Sequence, residues 1–188
     1  PLKNPVWEAL TSRQIHFNTG SNVLKYFHAN VSPFIALKNW NKKDLKELIT
    51  NIPTGRSFSV MIAKQIELPT EMEIVFTTPL YQMYCPQLKP VKSPKITLRN
   101  LQNADVPQML ELTEKTKPGP FYDRTIELGN YIGIFRKHKL VAMAGERLKV
   151  NGYTEVSAIC TDPDWLGKGY ASFLSSTVSE QIISEGNI

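Results

Sequence analysis

The sequence predicts a mixed α/β (α+β) protein, in which a mainly antiparallel sheet flanked by helices is preceded by a smaller α/β domain. From Tyr170 to Ile182 apolar residues recur every four positions, which is typical of an amphipathic helix. Runs rich in β-branched and aromatic residues, separated by turn signals such as Asn151-Gly152, predict strands before that helix. A stretch with two prolines and two lysines at residues 87–94 is predicted to be a linker between the two halves.

The bulk properties are those of an ordinary globular protein of 188 residues, with 41% hydrophobic and 21% charged residues. No apolar run approaches the roughly 20 residues needed to cross a membrane, so we expect no membrane partner, and we expect no signal peptide at the start of the chain. Cys85 and Cys160 lie in strand-like apolar surroundings and are predicted to be reduced core residues rather than a disulfide, which suits the cytoplasm. We therefore expect a cytoplasmic protein.

The net charge of +5 is concentrated in the first half of the chain. Residues 1–95 hold 12 Lys and Arg against 6 Asp and Glu, whereas residues 96–188 hold 10 against 11. A basic half can attract an anionic partner such as a nucleotide or an acidic metabolite. Its lysines are scattered, however, and no aromatic-and-basic motif accompanies them, which favours a solvated surface over nucleic-acid binding.

The N-terminal α/β domain, residues 1–92, is predicted to mix helices and strands. Asn4 and Pro5 suit the start of a helix. That helix would direct Val6, Trp7, Leu10 and Ile15 toward a core. The other predicted elements are strands at 23–26 and 34–37, a helix from Asn41 with Leu45, Leu48 and Ile49 as its apolar stripe, and strands at 58–63, 72–76 and 80–84.

The C-terminal domain, residues 93–188, is predicted to place a short strand and two helices before a run of antiparallel strands. In order, these are a strand at 96–99, a helix from Asn103, a shorter helix at 122–128, a hairpin of strands at 131–135 and 140–147, and a strand after Asn151-Gly152. Pro118-Gly119-Pro120 separates the two helices.

The last strand runs into a short glycine loop and then into the amphipathic helix. Asp162-Pro163 ends the strand, and Gly167 and Gly169 precede Tyr170. The first N–H groups of a helix have no partner within it and carry partial positive charge. No carboxylate follows Asp164 until Glu180, so an external anion such as phosphate suits this helix start. The alternative is that the two glycines only shape a turn.

This stretch resembles the acetyl-CoA motif of the GNAT N-acetyltransferase superfamily, Arg/Gln-x-x-Gly-x-Gly/Ala. Here it reads Leu166-Gly-Lys-Gly-Tyr-Ala171, in which Gly169 and Ala171 match and Leu166 departs from the pattern. The resemblance extends upstream through residues 118–128 and 140–147. It implies acetyl-CoA as co-substrate and no metal. The implied cofactor-binding residues are Ile159, Cys160, Thr161, Gly167, Lys168, Gly169, Tyr170, Ala171 and Ser172.

The resemblance also implies an activity, the transfer of an acetyl group from acetyl-CoA to the primary amine of a small molecule or peptide. Glu155 lies at the spacing from the glycine loop that the general base has in the histone-acetylating branch of the family, or else it is a solvated or salt-bridged strand carboxylate. Arg124, Glu127 and, more weakly, Glu146 are the candidates on the acceptor side, although Arg124 and Glu127 could instead pair with each other. The alternative function is a non-catalytic CoA-binding regulatory or interaction module.

GNAT domains normally continue beyond the phosphate-binding helix with a strand, a helix and a final hairpin, so the resemblance implies that residues 185–188 lie where that strand begins and that the C-terminal strands are missing from the domain. The order of helices and strands in residues 1–92 suggests a degenerate GNAT-like half that covers the acceptor cleft. A homo-oligomer is one alternative for the assembly.

Overall fold

The chain folds into two sheets and four α-helices within residues 1–63, 66–89, 91 and 95–188, the part that this computed structural model describes. The helices are α1 (Pro5–Thr11), α2 (Lys42–Asn51), α3 (Val106–Thr116) and α4 (Tyr170–Ser184). The strands are β1 (Leu24–Tyr26), β2 (Phe34–Leu37), β3 (Ser59–Val60), β4 (Leu98–Asn100), β5 (Tyr131–Arg136), β6 (Lys139–Val150) and β7 (Tyr153–Thr161). The predicted mixed α+β class is confirmed.

The N-terminal sheet has the order β1-β2-β3. Strands β1 and β2 form an antiparallel pair, and β3 joins β2 in parallel. Helix α2 starts where the sequence predicts, because the side chain of Asn41 accepts a hydrogen bond from the backbone N–H of Asp44. Leu45 and Leu48 of α2 are buried against this sheet, as predicted, whereas Ile49, the third residue of the predicted apolar stripe, is only half-buried.

The main sheet has the order β4-β5-β6-β7 and is antiparallel throughout. Successive strand residues point to opposite faces, so Ile132 and Ile134 of β5 meet α4 while Tyr131 packs in the cluster that includes α3. The apolar stripe of α4 is at most 5% exposed and consists of Tyr170, Leu174, Val178 and Ile182. Each such aliphatic side chain stabilises the fold by about 1.5–3 kcal/mol relative to exposure. The helix predicted after the glycine loop is confirmed.

Two β-bulges interrupt the pairing of β6 with β7. Residues 157–160 of β7 face residues 143–145 of β6, and Ala158 in this bulge has a left-handed φ of 51°. Nearer the turn between the strands, residues 146–149 of β6 face residues 154–156 of β7, so here the extra residue lies on β6. A bulge leaves one residue out of the ladder and bends the strand. The second bulge is called the β6 bulge below.

Three strand predictions in the N-terminal half are wrong in whole or in part. The predicted strand at 58–63 forms only the two-residue β3, and residues 72–76 and 80–84 form no strand. Their large side chains are mostly exposed, with Phe76 at 77% and Tyr81 at 93%. Strand composition makes a residue suitable for pairing but does not supply a neighbouring strand, whose backbone groups must complete the ladder.

Single residues also depart from their predicted places. Helix α1 ends at Thr11, so Ile15 falls outside it and is 60% exposed rather than in the core. Asn4 does not cap α1 with its side chain, which donates instead to the carbonyl of Leu37 at 2.8 Å. Both cysteines are free thiols, but only Cys160 is a buried strand residue, because Cys85 is half-buried in a segment without regular structure.

The two halves share apolar contacts. Val6 and Leu10 of α1 lie in the same buried cluster as Leu148 and Val150 of β6. The predicted boundary between residues 92 and 93, and part of the predicted linker at 87–94, lie outside the described residues, so the division into two domains stays a prediction. None of the helices in the described part has both the length and the hydrophobicity that a membrane crossing requires.

Candidate active site

The loop between β7 and α4 has the geometry of an anion site at a helix start. Gly167 and Gly169 have φ values of 73° and 74°, in the left-handed region that favours glycine. Gly169 is the N-cap of α4, no side chain caps the helix, and no acidic residue lies in its first turn. The first N–H groups of α4 are therefore left without an intrahelical partner or a neutralising carboxylate. Such a helix start can donate several N–H groups to one anion.

Open space lies over the same loop. A Cβ built on Gly167 or Gly169 would have no other atom within 4 Å. Leu166 is 63% exposed and offers no hydrogen-bond donor in its side chain. The ammonium of Lys168 lies 5.7 Å from the ring centre of Trp165 and is on an exposed residue. The backbone of the loop, rather than the side chain of Leu166, is therefore the source of hydrogen-bond donors for an anion in this open space.

The three strand residues expected to contact the cofactor differ in exposure. Ile159 is 39% exposed, whereas Cys160 is 6% exposed and packs in the core on the α3 side. Burial raises the pKa of the Cys160 thiol to about 11, so this thiol is neutral at physiological pH. The hydroxyl of Thr161 is buried and has no hydrogen-bond partner among the described residues. A ligand along this strand can thus use the side chain of Ile159 but only the backbone of Cys160.

The helix residues of the predicted cofactor site also differ. Tyr170 is 5% exposed, and its hydroxyl accepts hydrogen bonds from the guanidinium of Arg136 at 3.0 and 3.2 Å. Only the backbone of Tyr170 can therefore serve an anion. Ala171 is half-buried and Ser172 is exposed, which leaves the Ser172 hydroxyl accessible at the first turn.

A buried carboxylate anchors the start of the loop. Asp162 is 1% exposed, and its side chain accepts the N–H of Asp164 at 3.0 Å. The ammonium of Lys115, on α3, lies 2.7 Å from this carboxylate, and that of Lys139 lies 3.6 Å away. The hydrogen bond from Lys115 lowers the pKa of Asp162 and raises the pKa of Lys115. Asp162 thus ties the loop to the α3 side of the sheet, a role that sequence reasoning missed because Asp-Pro was interpreted only as a strand end.

Glu155 forms the ion pair that the sequence left open as its alternative. Its two carboxylate oxygens accept hydrogen bonds from the guanidinium of Arg147 at 2.9 and 2.6 Å, and the N–H of Leu148 lies 3.3 Å away. The Glu155 side chain remains 35% exposed and that of Arg147 17%. The Arg147 guanidinium also lies 4.7 Å from the ring centre of Phe34, on β2 of the N-terminal half. The role of Glu155 as a base stays a prediction.

The acceptor-side candidates Glu146, Arg124 and Glu127 are each engaged in an ion pair that does not include Glu155. Glu146 is fully buried on β6, where it pairs with Lys149 at 2.7 Å and accepts the N–H of Asn130 at 2.9 Å. Arg124 and Glu127 pair with each other through two hydrogen bonds of 2.7 Å. The helix predicted at 122–128 is only a 3₁₀ turn, at Thr125–Leu128.

The predicted cofactor-binding residues lie at 159–161, at the end of β7, and at 167–172, in the loop and the first turn of α4. Glu155 lies on β7, four residues before Ile159. That spacing is about 13 Å along a strand. Within the described residues, no group of three or more His, Cys, Asp or Glu side chains could hold a metal ion.

Comparisons with known proteins bear on the fold. A family model described as FR47-like protein matches residues 131–188. A crystal structure from Novosphingobium aromaticivorans, of a protein assigned to the GNAT family as an acetyltransferase, matches with a TM-score of 0.90 and 26% identity. That match covers 100% of this chain and 83% of the other. No curated protein matches the sequence significantly.

Two further solved structures match about half of the chain. One is a Mycobacterium tuberculosis protein in complex with CoA and NLQ, with a TM-score of 0.43 and 14% identity over 48% of this chain and 60% of that one. The other is the ribosomal-protein-S18-alanine N-acetyltransferase from Escherichia coli, with a TM-score of 0.36 and 21% identity over 47% and 57%. The family model and the match over the whole of this chain confirm the resemblance to GNAT-superfamily acetyltransferases.

Proposed function

We propose that the protein is an acyl-CoA-dependent N-acyltransferase that moves an acetyl group from acetyl-CoA to a primary amine. The observation that carries the proposal is the uncapped start of α4, where Gly167 and Gly169 leave backbone N–H groups facing open space. An anion of the size of a pyrophosphate suits that start. The similarity in fold to GNAT acetyltransferases supports the same co-substrate.

In this proposal, the residues of the loop and of β7 bind different parts of acetyl-CoA. The N–H groups of residues 167–172 hold the pyrophosphate, and the exposed edge of β7 at Ile159 supports the pantetheine arm. Acetyl-CoA supplies the thioester, whose C–S bond breaks as the amine nitrogen bonds to the carbonyl carbon and the thiolate leaves. The β7 bulge at Ala158 interrupts the ladder between Glu155 and Ile159, and we assign to its backbone the polarisation of the thioester carbonyl.

Glu155 is the group we assign to removing the ammonium proton of the acceptor. An ionised carboxylate has about four lone-pair positions, so the three hydrogen bonds from Arg147 and Leu148 leave one to accept that proton. The partial exposure of Glu155 gives an amine access to it. Arg147 keeps the carboxylate in one orientation, which suits proton transfer over hydrogen-bond distance.

The acceptor is proposed to be the primary amine of a small molecule or peptide. Arg124 and Glu127 neutralise each other through their paired hydrogen bonds, so their pair presents no net charge to a substrate. Glu146, which is fully buried, cannot contact an acceptor unless the surrounding chain moves. The cytoplasmic location, the absence of nucleic-acid binding and the oligomeric state stay predictions.

A second function, a CoA-binding module without turnover, is favoured by one observation. Both oxygens of Glu155 are engaged by Arg147, which is the arrangement of a structural ion pair. Exposed Leu166 also removes the polar side chain that the family motif carries at this position. This alternative keeps the anion site and assigns Glu155 to holding the β6 bulge.

Calorimetry and a thiol-release assay separate the two functions. We expect acetyl-CoA to bind, and free CoA thiol to appear at a rate that depends on the amine when a broad panel of small-molecule and peptide amines is offered. Binding without amine-dependent thiol release would support the module without turnover. Failure to bind acetyl-CoA at all would overturn both functions.

A further inference from the structure

The N-terminal half reaches the candidate base through one buried side chain. Gln14 follows α1 and is 2% exposed. Its side-chain nitrogen donates to the carbonyls of Arg147 at 2.7 Å and Leu128 at 3.2 Å, and its oxygen accepts the N–H of Lys149 at 3.2 Å. Gln14 thus gives the β6 bulge backbone hydrogen bonds in the place where its pairing with β7 is interrupted.

The same bulge holds Glu155 from the opposite strand. The donors to its carboxylate are the guanidinium of Arg147 and the N–H of Leu148. The N–H of Leu148 lies between the two backbone groups that Gln14 binds, the carbonyl of Arg147 and the N–H of Lys149, and the Arg147 side chain branches from the Cα next to that carbonyl. A shift of this short segment would therefore move the donors and the carboxylate together.

No other side chain of the described N-terminal half hydrogen-bonds to β6. Arg13, the neighbour of Gln14, donates to the side chains of Thr154 and Asn187, at the start of β7 and near the end of the chain. Phe34 contributes only the face of its ring to Arg147. Among the described residues, the hydrogen bonds from the N-terminal half to the β6 strand of this bulge thus all come from Gln14, whereas Arg13 reaches only its β7 strand.

We propose that Gln14 is a positioning residue for Glu155. This inference rests on the proposed function, in which Glu155 accepts the proton of the amine. Gln14 fixes the backbone at residues 147–149, that backbone fixes the donors, and the donors fix the carboxylate. The N-terminal half therefore completes the acyl-acceptor side of the site, because the buried amide of Gln14 positions the carboxylate of Glu155 on the main sheet.

The variant that tests the proposal is Gln14→Met, which keeps a side chain of similar length and removes all three hydrogen bonds. Gln108→Met is the matched control. The oxygen of Gln108 accepts the N–H of Leu140 at 2.8 Å, so this control also removes a glutamine hydrogen bond to β6, but at the opposite end of the strand. Gln14→Asn, which keeps an amide on a shorter side chain, serves if Gln14→Met does not fold.

We expect Gln14→Met to lower kcat/KM for the amine between about tenfold and a hundredfold, because small displacements of a reacting group have effects of this size. The Kd of acetyl-CoA should change less than about twofold, because the loop at α4 does not contact Gln14. In a Glu155→Gln background, Gln14→Met should lower kcat/KM for the amine by less than about threefold further, since the effects of coupled residues are not additive. The proposal is overturned if Gln14→Met lowers kcat/KM no more than Gln108→Met does. It is also overturned if the effects of Gln14→Met and Glu155→Gln on kcat/KM are fully additive.

Amide hydrogen exchange tests the positioning without turnover. The N–H of Leu148 donates to Glu155 and not to Gln14, so its exchange rate reports on the carboxylate. We expect Gln14→Met to accelerate exchange at Leu148 and Gln108→Met to leave it unchanged. Unchanged protection at Leu148 in the Gln14 variant would show that Gln14 does not act through Glu155. If the wild-type protein has no amine-dependent turnover, the proposed function fails, whereas this measurement still decides whether Gln14 places Glu155.

Discussion

A side chain placed on Gly169 tests whether the start of α4 binds acetyl-CoA. Gly169 has φ 74° and ψ 11°, a conformation in which a β-branched residue is strained. Such strain costs about 1–3 kcal/mol, so Gly169→Val should lower the Tm of a chain of this size by about 2–12 °C. The valine side chain also projects into the open space over the loop, where the pyrophosphate is expected. Each hydrogen bond lost to a charged group costs about 1.5–3 kcal/mol, which weakens binding by about 10- to 150-fold.

Two companion variants separate strain from obstruction. Asparagine tolerates the left-handed conformation, so Gly169→Asn should keep a Tm close to wild type while it still weakens acetyl-CoA binding. Lys168→Ala removes only an exposed charge, worth at most about 1 kcal/mol, and should change the Kd less than about fivefold. Calorimetry with acetyl-CoA measures the affinities, and circular dichroism confirms folding and gives the Tm. A folded Gly169→Val protein that binds acetyl-CoA as tightly as wild type would refute this placement of the cofactor.

Three further predictions concern single groups of the site. If Glu155 is the base, Glu155→Gln should lower turnover by about 10²–10⁴-fold. A variant with wild-type rates across the pH range and only a lower Tm would show that Glu155 is a purely structural partner of Arg147. Lys115 holds the pKa of Asp162 below its usual 3.8, so this pair stabilises the fold above about pH 4 and the stabilisation is lost as pH falls through the lowered pKa. The Tm of Asp162→Asn should therefore be a few degrees below that of wild type at neutral pH. If the difference in Tm between the two proteins does not shrink between pH 7 and pH 3, the ion pair with Lys115 does not stabilise the fold. In the native protein, iodoacetamide should label half-buried Cys85 and leave Cys160 unlabelled, because burial hides the Cys160 thiol and raises its pKa to about 11. Mass spectrometry measures the labelling, and a labelled Cys160 beside an unlabelled Cys85 would contradict the prediction.

Local sequence patterns determined the elements that carry their own signals. The stripe from Tyr170 to Ile182, the Asn151-Gly152 turn and the two loop glycines each predict their structure, because helix period, turn conformation and left-handed φ are properties of neighbouring residues. The position of the candidate anion site at the start of α4 could therefore be predicted from the sequence alone. The predicted strands at 72–76 and 80–84 failed for the complementary reason, since a strand also needs a partner that its own residues do not specify.

Only the tertiary structure decided which side chains meet at long range. Gln14 and Arg147 are 133 residues apart, and no periodicity in the sequence indicates that a buried amide after α1 would hold a bulge in β6. The pairing of Lys115 with Asp162 and of Arg147 with Glu155 likewise depends on how α3, β6 and β7 pack and on where β6 bulges. Sequence spacing could present Glu155 as a base or as an ion-pair partner, and the fold brought Arg147 to it because the extra residue in β6 lies directly opposite.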